Sequence, residues 1–316
     1  MTERPDYAQL IDAETWDFIE KTAQAYPENT TTGSIADQRA AYDAMCQVFY
    51  AGRPGGVSVA DHRANHVPVR HYRARETDAP MILYMHGGGF VVGGLHSHDD
   101  VCAELCDATG YDVVSVDYQL APEHKHPAAF DDCMIALNWA RDRFAKDIIL
   151  VGDSAGGNLA AALAHETRGS SDILGQILIY PGLGGDRDAG SYLYHANAPG
   201  LTRDEILFYE TNRVDGEMPI GDASLMPLSD ASFANLPPTV TIAAGCDPLC
   251  DDGRVYCEHI LAAGGQAVWI EEPGLIHGYL RARHSVGRAR DSFARIIRAI
   301  EMIGTGQPLD EDSLRR

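Results

Sequence analysis

Three residues of the chain have the chemical types that nucleophilic catalysis requires: Ser154, Asp247 and His277. A serine hydroxyl is a weak nucleophile, so it needs a base to take its proton and an acid to orient that base. We predict that Ser154 is the nucleophile and that His277 takes its proton and returns it to the leaving group. Asp247 would then hold the imidazole of His277 in the required tautomer.

Ser154 is the centre of the sequence Gly152-Asp153-Ser154-Ala155-Gly156. The apolar run at 147–151 is typical of a buried parallel strand, and the small residues at 157–164 are compatible with a helix. The chain must therefore turn from strand to helix within a few residues, and the two flanking glycines remove side chains that would collide there. Such a turn raises the serine hydroxyl above the sheet and directs the amides of the new helix towards it.

The other two candidates follow strands. The runs Thr239–Ala243 and Ala267–Ile270 predict two strands, and Asp247 and His277 come after their carboxyl ends. Open α/β sheets bind ligands beyond the carboxyl ends of their strands. We therefore expect both side chains at the same edge of the sheet as Ser154.

Other residues of the same types fit these roles less well. His259 lies within a predicted helix and His284 lies at the start of the last helix, so neither follows a strand. We interpret both as surface or packing histidines. Asp251 and Asp252 lie on the opening turn of the next predicted helix, where carboxylates interact favourably with the helix dipole.

Acyl transfer also needs hydrogen-bond donors for the negative charge that develops on the substrate oxygen. The sequence His86-Gly87-Gly88-Gly89-Phe90 directly follows the predicted strand Met81–Met85. Its glycines let backbone N–H groups approach the oxygen without interference from side chains. We predict that Gly88 and Gly89 are donors with Ala155 as the third, and that Gly87 is a less suitable one.

The elements that must position these residues alternate between strand and helix. Apolar runs predict eight strands, at 57–59, 67–72, 81–85, 112–116, 148–151, 176–180, 239–243 and 267–270. Amphipathic segments between them predict helices, including 97–109 and 127–143. This alternation predicts an α/β fold with a mainly parallel central sheet covered by helices on both faces.

Two regions do not fit the alternation. Two helices are predicted before the first strand: one after an N-cap at Asp12, and a second at 36–51, with Pro27 and Gly33 in the gap between them. Their predicted apolar faces are Trp16, Ile19, Ala23 and Tyr26, and then Ala41, Met45, Val48 and Phe49. Almost sixty residues also separate the strand ending at Tyr180 from the next one.

We expect both extra regions to meet as a helical cap over Ser154. The predicted division is N-terminal cap helices at 1–50, a first part of the catalytic core at 51–183, a cap insertion at 184–232 and the second part of the core at 233–316. The candidate residues for the lining of the pocket or the core of the cap are Trp16, Phe18, Phe208 and Tyr209. The alternative is that these aromatic residues pack against the flank of the sheet and never face a substrate.

Composition excludes several classes of partner. The net charge of −21 argues against nucleic acid and anionic membranes. No apolar run approaches the roughly 20 residues needed to span a bilayer. The charged N-terminus does not resemble a signal peptide, so a cytoplasmic location is expected. The seven cysteines are scattered and are expected to be free thiols.

No metal is expected. The spacing of Cys102 with Cys106, and of Cys246 with Cys250, lacks the matching second pair of a zinc site. The segment 94–100 contains two histidines and two aspartates, but Ser97 as an N-cap with Asp100 three residues later explains it as a helix start. His124 and His126 likewise flank a turn.

Together the motifs resemble the hormone-sensitive-lipase-like carboxylesterases of the α/β-hydrolase superfamily, in which the order Ser…Asp…His is expected. The resemblance extends from His86 to about Tyr279. It rests on the segments His86-Gly-Gly-Gly-Phe90, Asp117-Tyr-Gln-Leu-Ala-Pro-Glu123, Gly152-Asp-Ser-Ala-Gly-Gly-Asn-Leu159, Asp247-Pro-Leu249 and His277-Gly278.

The resemblance implies an α/β-hydrolase fold, a cap built from the N-terminal helices and an insertion after the sixth strand, short-to-medium acyl esters as substrates, no cofactor and a possible homodimer. The chain departs from the family pattern at Gln119, where arginine is usual, and at Cys250, where arginine or another polar residue is common. Both positions lie outside the predicted triad, so they affect local packing rather than the chemistry.

The sequence therefore predicts a serine carboxylesterase that acts on a small-molecule ester through an acyl-enzyme. Two alternatives stay open: an amide or lactone hydrolase with the same triad, and a hydrolase-fold receptor that binds a small ligand without turnover. Such a receptor is expected to lose the triad histidine, whereas His277 is present in this chain.

Overall fold

A computed structural model of the chain describes residues 5–26, 33–216, 218–219 and 221–315. Its centre is an eight-stranded sheet with the order β1-β2-β4-β3-β5-β6-β7-β8. The strands are β1 (Ser58–Ala64), β2 (Val67–Arg73), β3 (Met81–Met85), β4 (Asp112–Val116), β5 (Ile148–Asp153), β6 (Ile173–Ile179), β7 (Thr239–Cys246) and β8 (Ala267–Ile276). Among the described strands only β2 points in the opposite direction, so its pairs with β1 and β4 are antiparallel and the other pairs are parallel. The predicted mainly parallel sheet is confirmed.

Helices connect the strands and cover the sheet. They are α1 (Tyr7–Leu10), α2 (Ala13–Ala25), α3 (Ile35–Phe49), α4 (Asp99–Thr109), α5 (Ala128–Phe144), α6 (Ala155–Glu166), α7 (Gly190–Tyr194), α8 (Arg203–Arg213), α9 (Cys250–Ala262), α10 (Gly287–Gly304) and α11 (Glu311–Arg315). Because side chains alternate along a strand, Ile82 and Tyr84 of β3 pack in one core with α4 and α10. Met81, Leu83 and Met85 pack in a second core with α5 and α6 on the other face.

The two helices that precede the sheet are present, with one error in their predicted faces. Asp12 caps α2 and accepts a hydrogen bond from the Thr15 amide at 2.9 Å. In α3 the buried stripe runs through Tyr42, Met45 and Cys46, whereas Val48 is 45% exposed. The stripe continues from Cys46 to the partly buried Phe49, and at about 100° per residue Val48 is turned about 240° from Tyr42, away from that face. Pro27 lies outside the described residues.

The prediction that Ser97 caps the next helix is wrong. Helix α4 begins at Asp99 after His98, which makes no side-chain cap hydrogen bond. The Ser97 hydroxyl instead donates to the Gly94 carbonyl at 2.8 Å and accepts from the Gly94 amide at 3.1 Å. The hydroxyl therefore closes the preceding turn and is not available to the helix.

The acidic residues of this segment are held by arginines. Asp99 pairs with Arg53 at 2.7 Å and with Arg70 at 3.0 Å, and Asp100 pairs with Arg283 at 2.7 Å. No group of three or more His, Cys, Asp or Glu side chains within the described ranges is arranged to hold a metal ion. All seven cysteines are buried and unpaired.

The long interval between β6 and β7 contains α7 and α8. Thr202 and Glu205 form a capping box at the start of α8. The interval touches the N-terminal segment, since the Tyr7 hydroxyl lies 3.1 Å from Nδ1 of His195. Tyr26 and Tyr209 also pack against the same apolar cluster, around Tyr42 of α3. Over the described part of the chain, no helix has the length and apolarity needed to cross a membrane.

Candidate active site

Ser154 occupies a sharp turn between β5 and α6. Its backbone has φ 54° and ψ −117°, a left-handed conformation that is uncommon for a residue with a side chain. A Cβ atom on Gly152 would lie 2.2 Å from the Gly156 carbonyl oxygen, and one on Gly156 would lie 1.9 Å from the Met85 carbonyl oxygen. Only glycine fits at these two positions, which explains how the chain reverses so tightly.

The structure brings the three predicted triad residues together. Nε2 of His277 lies 2.8 Å from Oγ of Ser154, and Nδ1 lies 2.6 Å from Oδ2 of Asp247. Strand β8 runs to Ile276, so His277 follows it directly. Asp247 is fully buried, and its other carboxylate oxygen accepts the Leu249 amide at 2.9 Å. The arrangement suits proton transfer from the serine hydroxyl to the imidazole.

The triple glycine lies beside this serine. Gly88 and Gly89 have φ values of 128° and 59°, and both residues line the same cavity as Ser154 and Ala155. The amides of Gly88, Gly89 and Ala155 donate no hydrogen bond to any other described residue. The Gly87 amide is already used, since it donates to Oδ1 of Asp153 at 2.9 Å. The three predicted donors are therefore available to a ligand, and Gly87 is not.

Asp153 has a structural importance that the sequence did not reveal. Its buried carboxylate accepts hydrogen bonds from the Tyr84 hydroxyl at 2.8 Å and from the Gly87 amide at 2.9 Å, and it pairs with Nε2 of His98 at 3.2 Å. Burial alone would raise the pKa of Asp153, but the interactions with His98 and Tyr84 outweigh it and hold the pKa well below its usual value. The carboxylate thus ties the glycine loop to the turn that carries Ser154.

His86, the residue before the three glycines, is buried and supports the glycine loop. Its Nδ1 donates to the Gly87 carbonyl at 2.8 Å, and the Tyr118 hydroxyl donates to the His86 carbonyl at 2.6 Å. The rings of His86 and Tyr118 stack with centroids 4.3 Å apart. Burial lowers the pKa of His86 to about 4, so the ring is neutral at neutral pH. These contacts suit a structural role in fixing the loop.

A cavity of about 820 Å³ extends from Ser154 between the sheet and the extra helices. Phe18 of α2 and Tyr209 of α8 line it, as the sequence predicted for both. The other two candidates, Trp16 and Phe208, are not among the lining residues. The Tyr209 ring packs directly on the glycine loop, because a Cβ atom on Gly89 would lie 2.4 Å from it.

Three arginines line the cavity, and the sequence analysis selected none of them. Arg187 pairs with Glu210. Arg213 donates to the Asn158 side chain and to the Leu225 carbonyl, each at 3.0 Å, and its guanidinium lies 3.5 Å from the centroid of the Phe90 ring. Burial lowers the pKa of Arg213 to about 9, which leaves it charged at neutral pH. Arg281 is considered further below.

The rejected competitors lie away from Ser154. His284 is exposed and lies 2.9 Å from Glu104, and the ring of His259 packs on Phe233 with centroids 4.7 Å apart. Asp251 pairs with Arg254 at 2.9 Å. Asp252 accepts the Leu183 amide at 2.6 Å under the insertion.

Of the two residues that depart from the family pattern, Gln119 donates its backbone N–H to the Asp132 carboxylate at 2.8 Å. Cys250 is buried at the start of α9. The Cys250 backbone amide donates to the Asp247 carbonyl at 3.1 Å, whereas no hydrogen bond joins Gln119 to the triad among the described residues.

Comparisons with known proteins agree with this geometry. The sequence profile of a family described as having the alpha/beta hydrolase fold matches residues 82–281. The chain is 36% identical over 249 residues to the carboxylesterase NlhH of Mycobacterium tuberculosis, covering 74% of this chain and 78% of that one. It is 29% identical over 265 residues to an ethyl acetate hydrolase of Pseudomonas putida, covering 78% and 81%.

A solved structure, the hyperthermophilic esterase from the archaeon Pyrobaculum calidifontis, superposes on the chain with a TM-score of 0.85 at 30% identity. The superposition covers 93% of this chain and 98% of that structure. The similarity therefore includes the helices outside the central sheet as well as the sheet itself.

Proposed function

The chain belongs to the hormone-sensitive-lipase-like carboxylesterase family of α/β hydrolases, and on that premise we propose that it is a serine carboxylesterase acting on short-to-medium acyl esters. The observation that carries the proposal is the hydrogen-bonded series Ser154–His277–Asp247, at 2.8 and 2.6 Å, beside three unpaired backbone amides. The small esters are a substrate class that relatives such as the ethyl acetate hydrolase indicate.

In the first step Oγ of Ser154 attacks the ester carbonyl carbon while Nε2 of His277 takes its proton. The new C–O bond pushes one electron pair of the carbonyl onto its oxygen, which becomes an oxyanion. Asp247 is fully buried and hydrogen-bonded to Nδ1, so it stabilises the imidazolium that forms. The amides of Gly88, Gly89 and Ala155 donate to the oxyanion, where one such donor is typically worth about 10²–10³ in kcat.

The tetrahedral intermediate collapses when His277 returns the proton to the alkoxide oxygen, and the alcohol leaves. The acyl group then remains on Ser154 as an ester. A water molecule repeats the sequence, with His277 as base towards water and as acid towards Oγ of Ser154. The acid product leaves and the free serine is restored, so the balance of atoms is one ester and one water for one alcohol and one acid.

The same proposal includes a cap formed by residues 1–50 and 184–232 over a core formed by 51–183 and 233–316. It is supported by the cavity wall, to which Phe18 of α2 and Ile206 and Tyr209 of α8 contribute. The contact between Tyr7 and His195 joins the two segments. The cap would set which acyl and alcohol groups fit next to Ser154, because it supplies most of the apolar wall opposite the sheet.

The experiment compares the wild-type chain with Ser154→Ala on p-nitrophenyl acetate and butyrate, with a fluorophosphonate probe as a second readout. We expect rapid release of p-nitrophenol and labelling of the wild type, and neither for the variant. Retained labelling in Ser154→Ala would refute the assignment of the nucleophile. A folded wild-type chain that hydrolyses no ester and takes no probe would favour the receptor alternative.

Parallel assays with butyranilide and γ-butyrolactone address the amide and lactone alternatives. We expect the esters to be hydrolysed faster than either. A preference for the anilide or the lactone would replace the ester proposal while leaving the same three residues in their roles.

A further inference from the structure

Arg281 is a cavity residue that the proposed reaction does not use. Its side chain lines the cavity together with Ser154 and His277. It also lies close to the loop that carries the proposed base, since a Cβ atom on Gly278 would be 2.9 Å from Nη1 of Arg281. A charged group at this place is within reach of a small ligand that reacts at Ser154.

The guanidinium has no ion-pair partner among the described residues, although the ionised Asp153 interacts with it electrostatically from beyond ion-pair distance. Among the described residues, no Asp or Glu forms an ion pair with Arg281, and its Nε is buried without a hydrogen-bond partner. Nη2 donates to the Tyr42 hydroxyl, and the Cys46 thiol is the second polar group against it. Burial raises the pKa of both Tyr42 and Cys46, so both are neutral at neutral pH.

This lack of an ion pair contrasts with the neighbouring Arg283. The chain has 46 acidic residues against 25 lysines and arginines, and Arg283, two residues further on, pairs with both Asp100 and Glu104. A guanidinium stays protonated at neutral pH and offers five donors. An enclosed guanidinium with unsatisfied donors is unfavourable, so the unpartnered Nε and Nη1 at the cavity wall indicate an acceptor supplied by the ligand.

We propose that Arg281 forms an anion-binding subsite and that the favoured substrate is a small ester carrying a carboxylate group. The inference rests on the proposed ester hydrolysis at Ser154 and adds the substrate class. Nη1, which has no hydrogen-bond partner among the described residues, donates to a carboxylate oxygen of the ester. The aromatic residues Tyr26, Tyr42 and Tyr209 wall the cavity around this position and limit the size of the group.

The carboxylate belongs either to the acid part or to the alcohol part of the ester, and two pairs of isosteric substrates distinguish them. For the acid part, ethyl hydrogen succinate is compared with ethyl 4-methylpentanoate, in which two methyl groups replace the two carboxylate oxygens. For the alcohol part, 3-acetoxypropanoate is compared with 3-methylbutyl acetate. A pH-stat records acid release from all four at one ionic strength, which holds the screening of the acidic surface constant.

We expect the wild type to favour the anionic member of one pair by about tenfold to a hundredfold in kcat/KM, the range of a hydrogen bond to a charged group. In Arg281→Gln this preference should disappear through a higher KM for the anionic ester, with the neutral ester changed less than about threefold. The matched control is Arg290→Gln, which removes the same charge from an exposed site on α10 and should keep the preference.

The outcomes are separable from those of the proposed function. Hydrolysis of the neutral esters without any preference in the wild type overturns the subsite and leaves the esterase in place, and this result needs no variant. An equal loss on both members of the pair in a folded Arg281→Gln protein also overturns it, because Arg281 would then be a strut between Tyr42 and the His277 loop. A wild type inactive on all four esters and unreactive to the phosphonate refutes the proposed function instead.

Discussion

Replacing Asp153 by asparagine and by alanine should separate two effects of this buried carboxylate. In the structure Oδ1 accepts from the Tyr84 hydroxyl and the Gly87 amide, while Oδ2 faces His98. Asparagine keeps one oxygen for Tyr84 and Gly87 and loses only the charge towards His98. Alanine removes every acceptor, so the Gly87 amide loses the contact that fixes the glycine loop.

The expected magnitudes follow from these contacts. Loss of the charged hydrogen bond in Asp153→Asn should lower the free energy of unfolding by about 1.5–3 kcal/mol. Asp153→Ala leaves three buried polar groups without a partner, at about 1–3 kcal/mol each. The upper limit of the summed loss in Asp153→Ala is comparable to the roughly 5–15 kcal/mol that stabilises a whole domain. We expect kcat to fall less than about tenfold in Asp153→Asn, and towards the 10²–10³ that accompanies a misplaced oxyanion donor in Asp153→Ala.

The assay combines p-nitrophenyl acetate kinetics with urea unfolding at pH 7. The matched control is Asp132→Asn, since Asp132 is also a buried carboxylate that accepts a backbone amide, from Gln119, and pairs with a histidine, His66. Asp132→Asn should lose stability but keep kcat. A folded Asp153→Ala variant with near-normal kcat would refute the reasoning, as would an equal loss of kcat in Asp132→Asn.

The pH dependence provides a second check on Asp153. Its pKa is lower in the folded protein than in the unfolded chain, so its contribution is fully present above the unfolded value of about 4 and is lost as the pH falls further. The difference in stability between wild type and Asp153→Asn should therefore be constant from pH 8 to 5 and should shrink towards pH 3. A difference that grows on acidification contradicts this sign.

Two further predictions concern Asp252 of α9, which lies under the insertion, and the insertion itself. Burial raises the pKa of Asp252 to about 6, so between pH 4 and 6 the folded chain holds a proton that the unfolded chain has released. As the pH rises through this interval, the free energy of unfolding of the wild type, measured with urea, should fall by up to about 3 kcal/mol relative to Asp252→Asn. No relative change would contradict the raised pKa. Ile206→Ala should enlarge the cavity and so increase the rate on p-nitrophenyl octanoate relative to p-nitrophenyl butyrate. Phe208 is on the same helix but does not line the cavity, so Phe208→Ala should leave that ratio unchanged. Equal effects of the two substitutions would argue against a cap role for this face.

Much of the fold was readable from the sequence because its signals are local. Strands β3 to β6 contain short apolar runs, β1 and β2 mix apolar and polar residues, and the glycines around Ser154 mark a turn that no other residue fits. The positions of Asp247 and His277 after strand ends follow from the same pattern, since parallel strands end at one edge. The predictions were wrong where the same local sequence pattern is compatible with more than one structure. Ser97 closes a turn rather than capping α4, and Val48 lies off the buried face of α3.

The cavity wall was only partly readable, because it is formed by contacts between distant segments. Phe18 and Tyr209 were selected as large aromatic residues on helical segments, but size alone also selected Trp16 and Phe208, which do not line the cavity. Arg281 has an ordinary sequence context four residues after His277. What distinguishes it is the lack of an ion pair and of a hydrogen-bond partner for its Nε in three dimensions, and no pattern along the chain records that.

Around Ser154, the core is held together partly by backbone contacts, whereas the insertion contacts it mainly through side chains. The glycine loop and the serine turn interlock, because the Gly87 amide is bound by Asp153 and the Gly156 Cα abuts the Met85 carbonyl. The residues proposed to perform the reaction are therefore held mainly by contacts within the core. The insertion meets this unit mainly through side chains, with Tyr209 on Gly89 and Arg213 on Asn158. Changes in the insertion can thus alter which ester is accepted while the geometry of attack stays the same, and substrate choice is the property most open to variation in this fold.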